Sequence, residues 1–253
     1  MNTTLLSIIK KILKDKNLDP KHYSPYYIRN KISLIKSQML SDMEIEKCFN
    51  TDIDIVVKEI YHIYLDKMIK NNSIDFDDLL CKPVILFNEH KEILEHYQNR
   101  YKYILIDEYQ DTNPVQYKLT KLLANKNKNI FVVGDMNQSI YAFRQADYRN
   151  ILNFERDYKD CKVIKLEENY RSTNNILNAA NSVIKNNKER KDLKLWSEKG
   201  DGIKVKYMRA YDERHEITLV IEEINKLLNE EYNRKDIGIL YRTNAQSRVV
   251  EEG

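Results

Sequence analysis

A short apolar run that ends at two acidic residues constrains the fold of this chain more than any other feature. Residues 103–106 have the length and β-branched content of a strand buried on both faces, and Asp107 and Glu108 follow directly. Asn113 and Pro114 then predict the N-cap and the first residue of a helix. Open α/β sheets bind ligands and metals at the carboxyl ends of such strands. The stretch therefore predicts an α/β fold with a site at the two acids.

Further apolar runs predict more strands. Residues 129–133 form a second buried strand that ends at Gly134 and Asp135, and residues 163–166 form a third. The spacing of the first two strands around one helix predicts a βαβ unit with parallel strands, so their acidic ends are expected at one edge of one sheet. Two later strands, over residues 203–207 and 237–241, are expected on either side of a helix spanning 213–230.

The first 72 residues carry a helical pattern instead. Apolar side chains recur every three or four positions, with lysines between them. Helices are predicted over residues 4–16, 25–39 and 52–70, and a polar helix over 91–100. Between them, Asp75, Asp77 and Asp78 are interpreted as acids that favour the start of a helix by offsetting its dipole. We expect an all-helical subdomain ahead of the α/β part.

Composition excludes several kinds of site. The chain has 42 Lys and Arg against 39 Asp and Glu, so any basic surface must be local. Its three cysteines lie far apart without metal-ligand spacing. The apolar segment 5–13 is interrupted by lysines and too short to span a bilayer, so we expect a cytoplasmic protein with no membrane association.

Glycine gives the sharpest exclusion. The chain has five glycines, and the first of them is Gly134. Their positions do not allow the phosphate-binding sequence G-x-x-x-x-G-K-[ST] anywhere in these 253 residues.

Polar residues after successive predicted strands suggest phosphate chemistry. Asp107 and Glu108 could hold Mg²⁺ and activate a water molecule, although a solvated acidic turn is the simpler explanation of the pair taken alone. Gln138 follows the second strand and Arg171 the third, where an amide and a guanidinium suit a phosphoryl group. An acid pair, an amide and an arginine together predict a nucleoside-triphosphate site.

Aromatic and basic residues follow Gln138 closely. Tyr141, Phe143 and Arg144 have the composition of a surface on which single-stranded bases stack. The alternative is that the two aromatic residues are ordinary core side chains.

Taken in order, the motifs resemble those of UvrD/Rep/PcrA-type superfamily 1 DNA helicases. They are Y-I-L-I-D-E-Y-Q-D-T-N at 103–113, V-G-D-M-N-Q-S-I-Y at 133–141 and L-E-E-N-Y-R-S-T at 166–173, with D-F-D-D-L at 75–79 and L-Y-R-T-N-A-Q-S-R at 240–248. The resemblance covers almost the whole chain. It implies an α/β fold of incomplete RecA-like (P-loop NTPase type) parallel-sheet domains with an N-terminal all-helical subdomain. The implied divisions are a helical insertion over 1–72, the C-terminal part of the first RecA-like domain over 73–165, and the N-terminal part of the second over 166–253.

The resemblance also implies residue roles at an ATP site. Asp107 and Glu108 would form the metal site, with Asp107 binding Mg²⁺ and Glu108 activating the hydrolytic water. Gln138 would sense the γ-phosphate and couple it to DNA. Tyr170 would pack near the adenine, and Arg171 would reach the γ-phosphate from the second domain.

A DNA-binding role is implied for the segment after Gln138. Tyr141 and Phe143 would stack on bases, with Arg144 in the same coupling segment. This sequence departs from the family pattern Y-R-W-R-G at Ala142, Phe143 and Gln145. Phe143 keeps a stacking face, but a cation and a glycine are lost, which implies altered DNA contacts.

The function implied is ATP-driven 3′ to 5′ translocation on single-stranded DNA and opening of single-strand/double-strand junctions, with protein partners in repair or replication. The absent phosphate-binding loop and later arginine-bearing motifs imply a fragment that does not hydrolyse ATP by itself. A parallel sheet without its first strands would expose apolar edges, so we expect marginal stability or association of the isolated chain. Two alternatives stay open: a non-enzymatic module that binds DNA or a helicase, and an unrelated Mg²⁺-dependent phosphohydrolase.

Overall fold

The computed structural model of the protein describes residues 3–188 and 193–252. They form two compact units, residues 3–164 and residues 165–188 with 193–252. The helices of the first unit are α1 (Thr3–Asp15), α2 (Pro25–Gln38), α3 (Asp42–Cys48), α4 (Asp52–Lys70), α5 (Asp78–Glu89), α6 (Lys91–Arg100), α7 (Pro114–Ala124) and α8 (Arg149–Asp157), and its strands are β1 (Ile104–Ile106) and β2 (Ile130–Val132). The helices of the second unit are α9 (Asn174–Ile184), α10 (Glu213–Asn229) and α11 (Asn244–Glu252).

The predicted N-terminal helices are confirmed. Ser24 caps α2 with its side chain, and Thr51 forms a capping box with Asp54 at the start of α4. The helix α3 was not predicted, although Ser41 and Glu44 form a second capping box that signals its start. Helices α1 to α4 enclose one apolar core, and α2 also packs against α5 and α7. The fully buried members of this core include Ile9, Ile12, Leu13, Ile28, Ile32, Val57, Ile60 and Tyr64.

The strands β1 and β2 form the predicted parallel pair. Ile104 lies opposite Ile130, and Ile106 opposite Val132. The helix α7 connects the strands and begins where the sequence predicts, because Asn113 and Gln116 form a capping box around Pro114. The carboxyl ends of both strands therefore lie at one edge.

The prediction that these strands are buried on both faces is wrong. Leu105 is 73% exposed and Phe131 is 58% exposed, whereas Ile104 and Ile106 are half-buried. Side chains alternate between the faces of a sheet, so one face of the pair is covered and the other is open. An unbroken apolar run is typical of a strand covered on both sides, but nothing in the described part of the chain covers the second side.

The three strands predicted beyond β2 are also wrong. Residues 163–166, 203–207 and 237–241 contain no strand and form no β-pairing with other described residues, and Leu240 is fully exposed. The described pairing in the second unit is one isolated parallel bridge between Glu168 and Trp196. Apolar, β-branched runs have a propensity for strands, but a strand forms only beside a partner backbone. The helix predicted over 213–230 is confirmed as α10.

Candidate functional site

The two acids lie in a strained turn at the end of β1. Glu108 adopts a left-handed backbone conformation with φ 49° and ψ 45°. Its N–H donates to Asp107 Oδ1 at 2.9 Å, and both side chains are exposed. The left-handed conformation costs a non-glycine residue about 1–2 kcal/mol, and such strain clusters at functional sites. The turn therefore holds two carboxylates in solvent at the edge of the sheet.

Buried neighbours fix this turn from below. Tyr109 is completely buried and packs edge-on against Phe154 of α8, with ring centroids 5.8 Å apart. Its N–H donates to Val133 O at 2.9 Å, which extends the pairing of β1 and β2 by one step. Burial raises the pKa of the Tyr109 hydroxyl, with nearby tyrosines and Asp157 adding to the rise. The turn that carries the two acids is therefore anchored by a buried side chain.

Gln110 joins the two strand ends, and sequence reasoning missed it. It is 1% exposed. Its Nε2 donates to Glu108 Oε2 at 2.7 Å and to Asp111 Oδ2 at 3.4 Å, and its Oε1 accepts from Asp135 N at 3.0 Å. Burial and the charge of Glu108 raise the pKa of Asp111, and the Gln110 hydrogen bond opposes the rise. The sequence signal was a polar residue two positions after Glu108, where exposure is the simpler expectation.

The loop after β2 brings Gln138 to the same edge. Asp135 accepts from the N–H of Asn137 at 2.9 Å through Oδ1 and from Gln138 Nε2 at 3.0 Å through Oδ2. Met136 is buried and anchors the loop, while Gln138 is exposed. Asp107, Glu108 and Gln138 therefore share one edge, and Asp135 and Gln110 connect them.

Asn150 of α8, which the sequence analysis also missed, stabilises the turn through hydrogen bonds to Thr112. Its buried side chain donates to Thr112 O at 2.9 Å and to Thr112 Oγ1 at 3.1 Å. Thr112 Oγ1 in turn donates to Tyr109 O at 2.7 Å. These bonds satisfy polar groups that would otherwise be buried without partners.

The predicted stacking residues form one exposed cluster. Phe143 is 72% exposed and Tyr141 is also exposed, so the core alternative is wrong. Their ring centroids are 6.0 Å apart, and the Arg144 guanidinium lies 5.1 Å from the Tyr141 centroid and 5.4 Å from that of Phe143. A cation and two rings in solvent are the elements that a single-strand surface needs.

Tyr170 and Arg171 belong to the second unit. Asn169 Oδ1 accepts from Arg171 N at 3.0 Å and from Ser172 N at 2.7 Å, which turns the chain and exposes both predicted residues. The Tyr170 hydroxyl donates to Glu168 Oε2 at 2.8 Å, and this hydrogen bond raises its pKa. A pocket of about 270 Å³ is lined by Glu168, Asn169, Tyr170, Ser197, Glu198 and Lys199.

The acids near residue 75 do more than start α5. Asp78 is its first residue, but Asp75 and Asp78 also hold the buried Lys36 Nζ at 2.7 and 2.9 Å. The Tyr64 hydroxyl donates to Asp75. Burial alone would lower the pKa of Lys36, but its hydrogen bonds to the two carboxylates outweigh burial and raise it. Sequence reasoning missed this ion cluster, because a lysine on α2 carries no signal of a buried partner 39 residues away.

The donor set at the strand end suits magnesium. Mg²⁺ in nucleotide sites is bound by one or two carboxylates, with waters and substrate phosphates completing an octahedron. Asp107 and Glu108 are adjacent, exposed carboxylates. Groups of three or more metal-binding side chains do not occur in the described ranges, so the pair fits an ion shared with a substrate better than an all-protein site.

Comparison with known proteins decides the family. The model for the UvrD/REP helicase N-terminal domain matches residues 2–159, and the UvrD-like helicase C-terminal domain matches residues 164–253. The chain belongs to the UvrD/Rep helicase family. It is of the UvrD/PcrA type of superfamily 1, as its motifs predict.

Individual relatives support this assignment. The chain is 50% identical over 248 residues to the ATP-dependent DNA helicase PcrA of Bacillus subtilis, covering 98% of this chain and 34% of the relative. It is 48% identical over 246 residues to the PcrA helicases of Staphylococcus epidermidis and Staphylococcus aureus, covering 97% of this chain and 34% of each relative. This UvrD/Rep family chain thus spans about a third of the length of these relatives. Its described helices include none long and apolar enough to cross a membrane.

Proposed function

We propose that this chain forms part of an ATP-dependent DNA helicase that moves 3′ to 5′ on single-stranded DNA. The observation that carries the proposal is the strand edge where Asp107, Glu108 and Gln138 meet, joined by the buried Gln110. The family assignment supports ATP and Mg²⁺ as the ligands of this edge, and DNA as the substrate.

Each residue at the edge has a distinct chemical role. Asp107 would hold Mg²⁺, which when bound neutralises charge on the phosphates. Glu108 accepts a hydrogen bond from Gln110 and is otherwise open to solvent, so it can take a proton from an attacking water. Gln138 offers a neutral amide that can contact a phosphate oxygen without adding charge, and its loop leads directly to the aromatic cluster.

Two residues of the second unit are also assigned to the nucleotide in this proposal. Tyr170 would pack on the adenine, and Arg171 would bind the γ-phosphate with its planar, permanently charged guanidinium. Both side chains are exposed and therefore accessible to a ligand. We assign residues 1–72 to a helical insertion, 73–165 to the C-terminal part of a first RecA-like domain and 166–253 to the N-terminal part of a second. The open face of the β1/β2 pair supports this incomplete RecA-like assignment.

Single-stranded DNA would bind at Tyr141, Phe143 and Arg144. Stacking of one base on an aromatic ring contributes about 1–3 kcal/mol and tolerates any sequence. The exposure of Phe143 and the position of Arg144 against both rings support this surface.

The isolated 253-residue chain is not expected to hydrolyse ATP, because its sequence holds no G-x-x-x-x-G-K-[ST] loop to cradle the phosphates. The test is steady-state ATP turnover with Mg²⁺ and oligo-dT. Turnover stimulated by the DNA and abolished by Glu108→Gln would refute this expectation.

A second candidate is a module that binds DNA without hydrolysis, which the exposed aromatic cluster and the missing loop sequence favour. The two are separated by binding of a fluorescent ATP analogue with Mg²⁺. Binding that weakens in Asp107→Asn favours the helicase part, whereas DNA binding without any nucleotide binding favours the module.

A further inference from the structure

We propose that Gln110 is a positioning residue that ties the carboxylate of Glu108 to the loop carrying Gln138, so that the two groups move together. The inference rests on the proposed function for the roles of Glu108 and Gln138. The linkage itself rests on the geometry around Gln110.

Both ends of the Gln110 amide are occupied. The oxygen accepts from Asp135 N at 3.0 Å, and the nitrogen donates to Glu108 Oε2 at 2.7 Å. The two ends cannot exchange places, because a rotated amide would direct its N–H groups at the N–H of Asp135 and its oxygen at two carboxylates. Leaving a buried donor or acceptor unpaired costs about 1–3 kcal/mol. The orientation of the amide is therefore fixed.

The space around Gln110 leaves no room for an independent shift of the loop. A Cβ atom at Gly134 would lie 2.5 Å from Gln110 Oε1 and 3.1 Å from Tyr109 N, so the loop backbone packs directly on the amide. Ser139 Oγ also donates to Gln110 O at 3.4 Å. Displacement of this loop must displace Gln110.

A continuous chain of hydrogen bonds results. Gln138 Nε2 bonds to Asp135, Asp135 N bonds to Gln110, and Gln110 Nε2 bonds to Glu108. A phosphate or DNA contact that moves the loop would thus reorient the water-activating carboxylate.

The test uses the ¹⁵N-labelled 253-residue chain and NMR, without ATP turnover. In the wild-type background, Glu108→Gln is expected to shift the Asp135 amide and the Gln138 side-chain resonances. In a Gln110→Met background, the same substitution is expected to shift them by less than a line width. Equal shifts in both backgrounds would overturn the proposal.

The matched control is Gln98→Met, which removes another buried glutamine amide, one that bonds to Leu122 O at 2.7 Å. It is expected to leave the Glu108 effect intact, and loss of the effect there would also overturn the proposal. If Gln110→Met does not fold, the linkage is tested in the wild-type background by the side-chain NH₂ resonances of Gln110. They must shift in both Glu108→Gln and Gln138→Ala, and unchanged positions reject the linkage. ATP turnover, in contrast, tests the proposed function alone.

Discussion

Removal of the buried lysine of α2 is expected to destabilise the helical part of the first unit severely. The Lys36 side chain is 4% exposed, and its Nζ lies 2.7 Å from Asp75 Oδ2 and 2.9 Å from Asp78 Oδ1. Lys36→Met keeps most of the volume and leaves both carboxylates buried without their cation. Breaking a buried pair from one side costs about 3–5 kcal/mol. The remaining bonds among Asp75, Asp78 and Tyr64 place the expected loss near the lower end, about 3 kcal/mol.

The assay is urea unfolding followed by circular dichroism at 222 nm, because the single tryptophan, Trp196, belongs to the second unit. With a slope of about 2 kcal/mol/M, the midpoint is expected to fall by about 1.5 M. The control is Lys16→Met. The Lys16–Glu59 pair is shorter, at 2.5 Å, but the two side chains are 29% and 55% exposed. An exposed ion pair contributes about 0–1 kcal/mol to stability. Burial of the pair, and not its N–O distance, is therefore expected to determine how much stability is lost.

Partial rescue gives the sharpest check. Asp75→Asn added to Lys36→Met removes one uncompensated charge and is expected to recover part of the lost stability, although Asp75→Asn alone destabilises the protein. Equal losses in Lys36→Met and Lys16→Met, or additive losses in the double variant, would refute the reasoning.

Three further outcomes are expected. Gly134→Ala should lower the free energy of unfolding by about 1–3 kcal/mol, because the new Cβ would overpack on Gln110. Gly238→Ala should change stability little, because nothing lies within 4 Å of its new Cβ. Similar urea midpoints for the two variants would contradict this prediction. Phe143→Ala should weaken oligo-dT binding, measured by fluorescence anisotropy, by about 5- to 150-fold. Phe143→Trp and Tyr211→Ala, a control that removes another exposed ring, should leave the affinity unchanged. Retained affinity in Phe143→Ala would argue against the stacking surface. Burial would raise the pKa of Asp75, but hydrogen bonds from Lys36 and Tyr64 lower this pKa below 3.8. The stability that Asp75 contributes is therefore present above about pH 4 and is lost as the pH falls through the folded pKa. In an acid titration, Asp75→Asn should lose less unfolding free energy below about pH 4 than the wild type.

Local signals predicted the elements whose causes lie within a few residues. Asn113 and Pro114 fix the start of α7, and Ser24 fixes that of α2, because caps satisfy nearby backbone groups. The parallel pairing of β1 and β2 follows from the length of the crossover between them. These features need no information from distant parts of the chain.

Sequence patterns did not predict the features that depend on contacts between residues far apart in the chain. Residues 203–207 have the pattern of a strand, yet no described backbone segment pairs with them. The roles of Lys36 and Gln110 depend on which groups the fold buries beside them. The acids and Gln138 were predicted from motif order, but the bonds that join them became visible only in three dimensions.

The most direct test of the proposed function is ATP turnover in a full-length protein in which this chain replaces the matched third of the Bacillus subtilis relative. The proposal predicts turnover that single-stranded DNA stimulates and that Glu108→Gln abolishes while nucleotide binding persists. Unchanged turnover in the Glu108→Gln protein would contradict the assignment of the β1 strand end as the site that activates water.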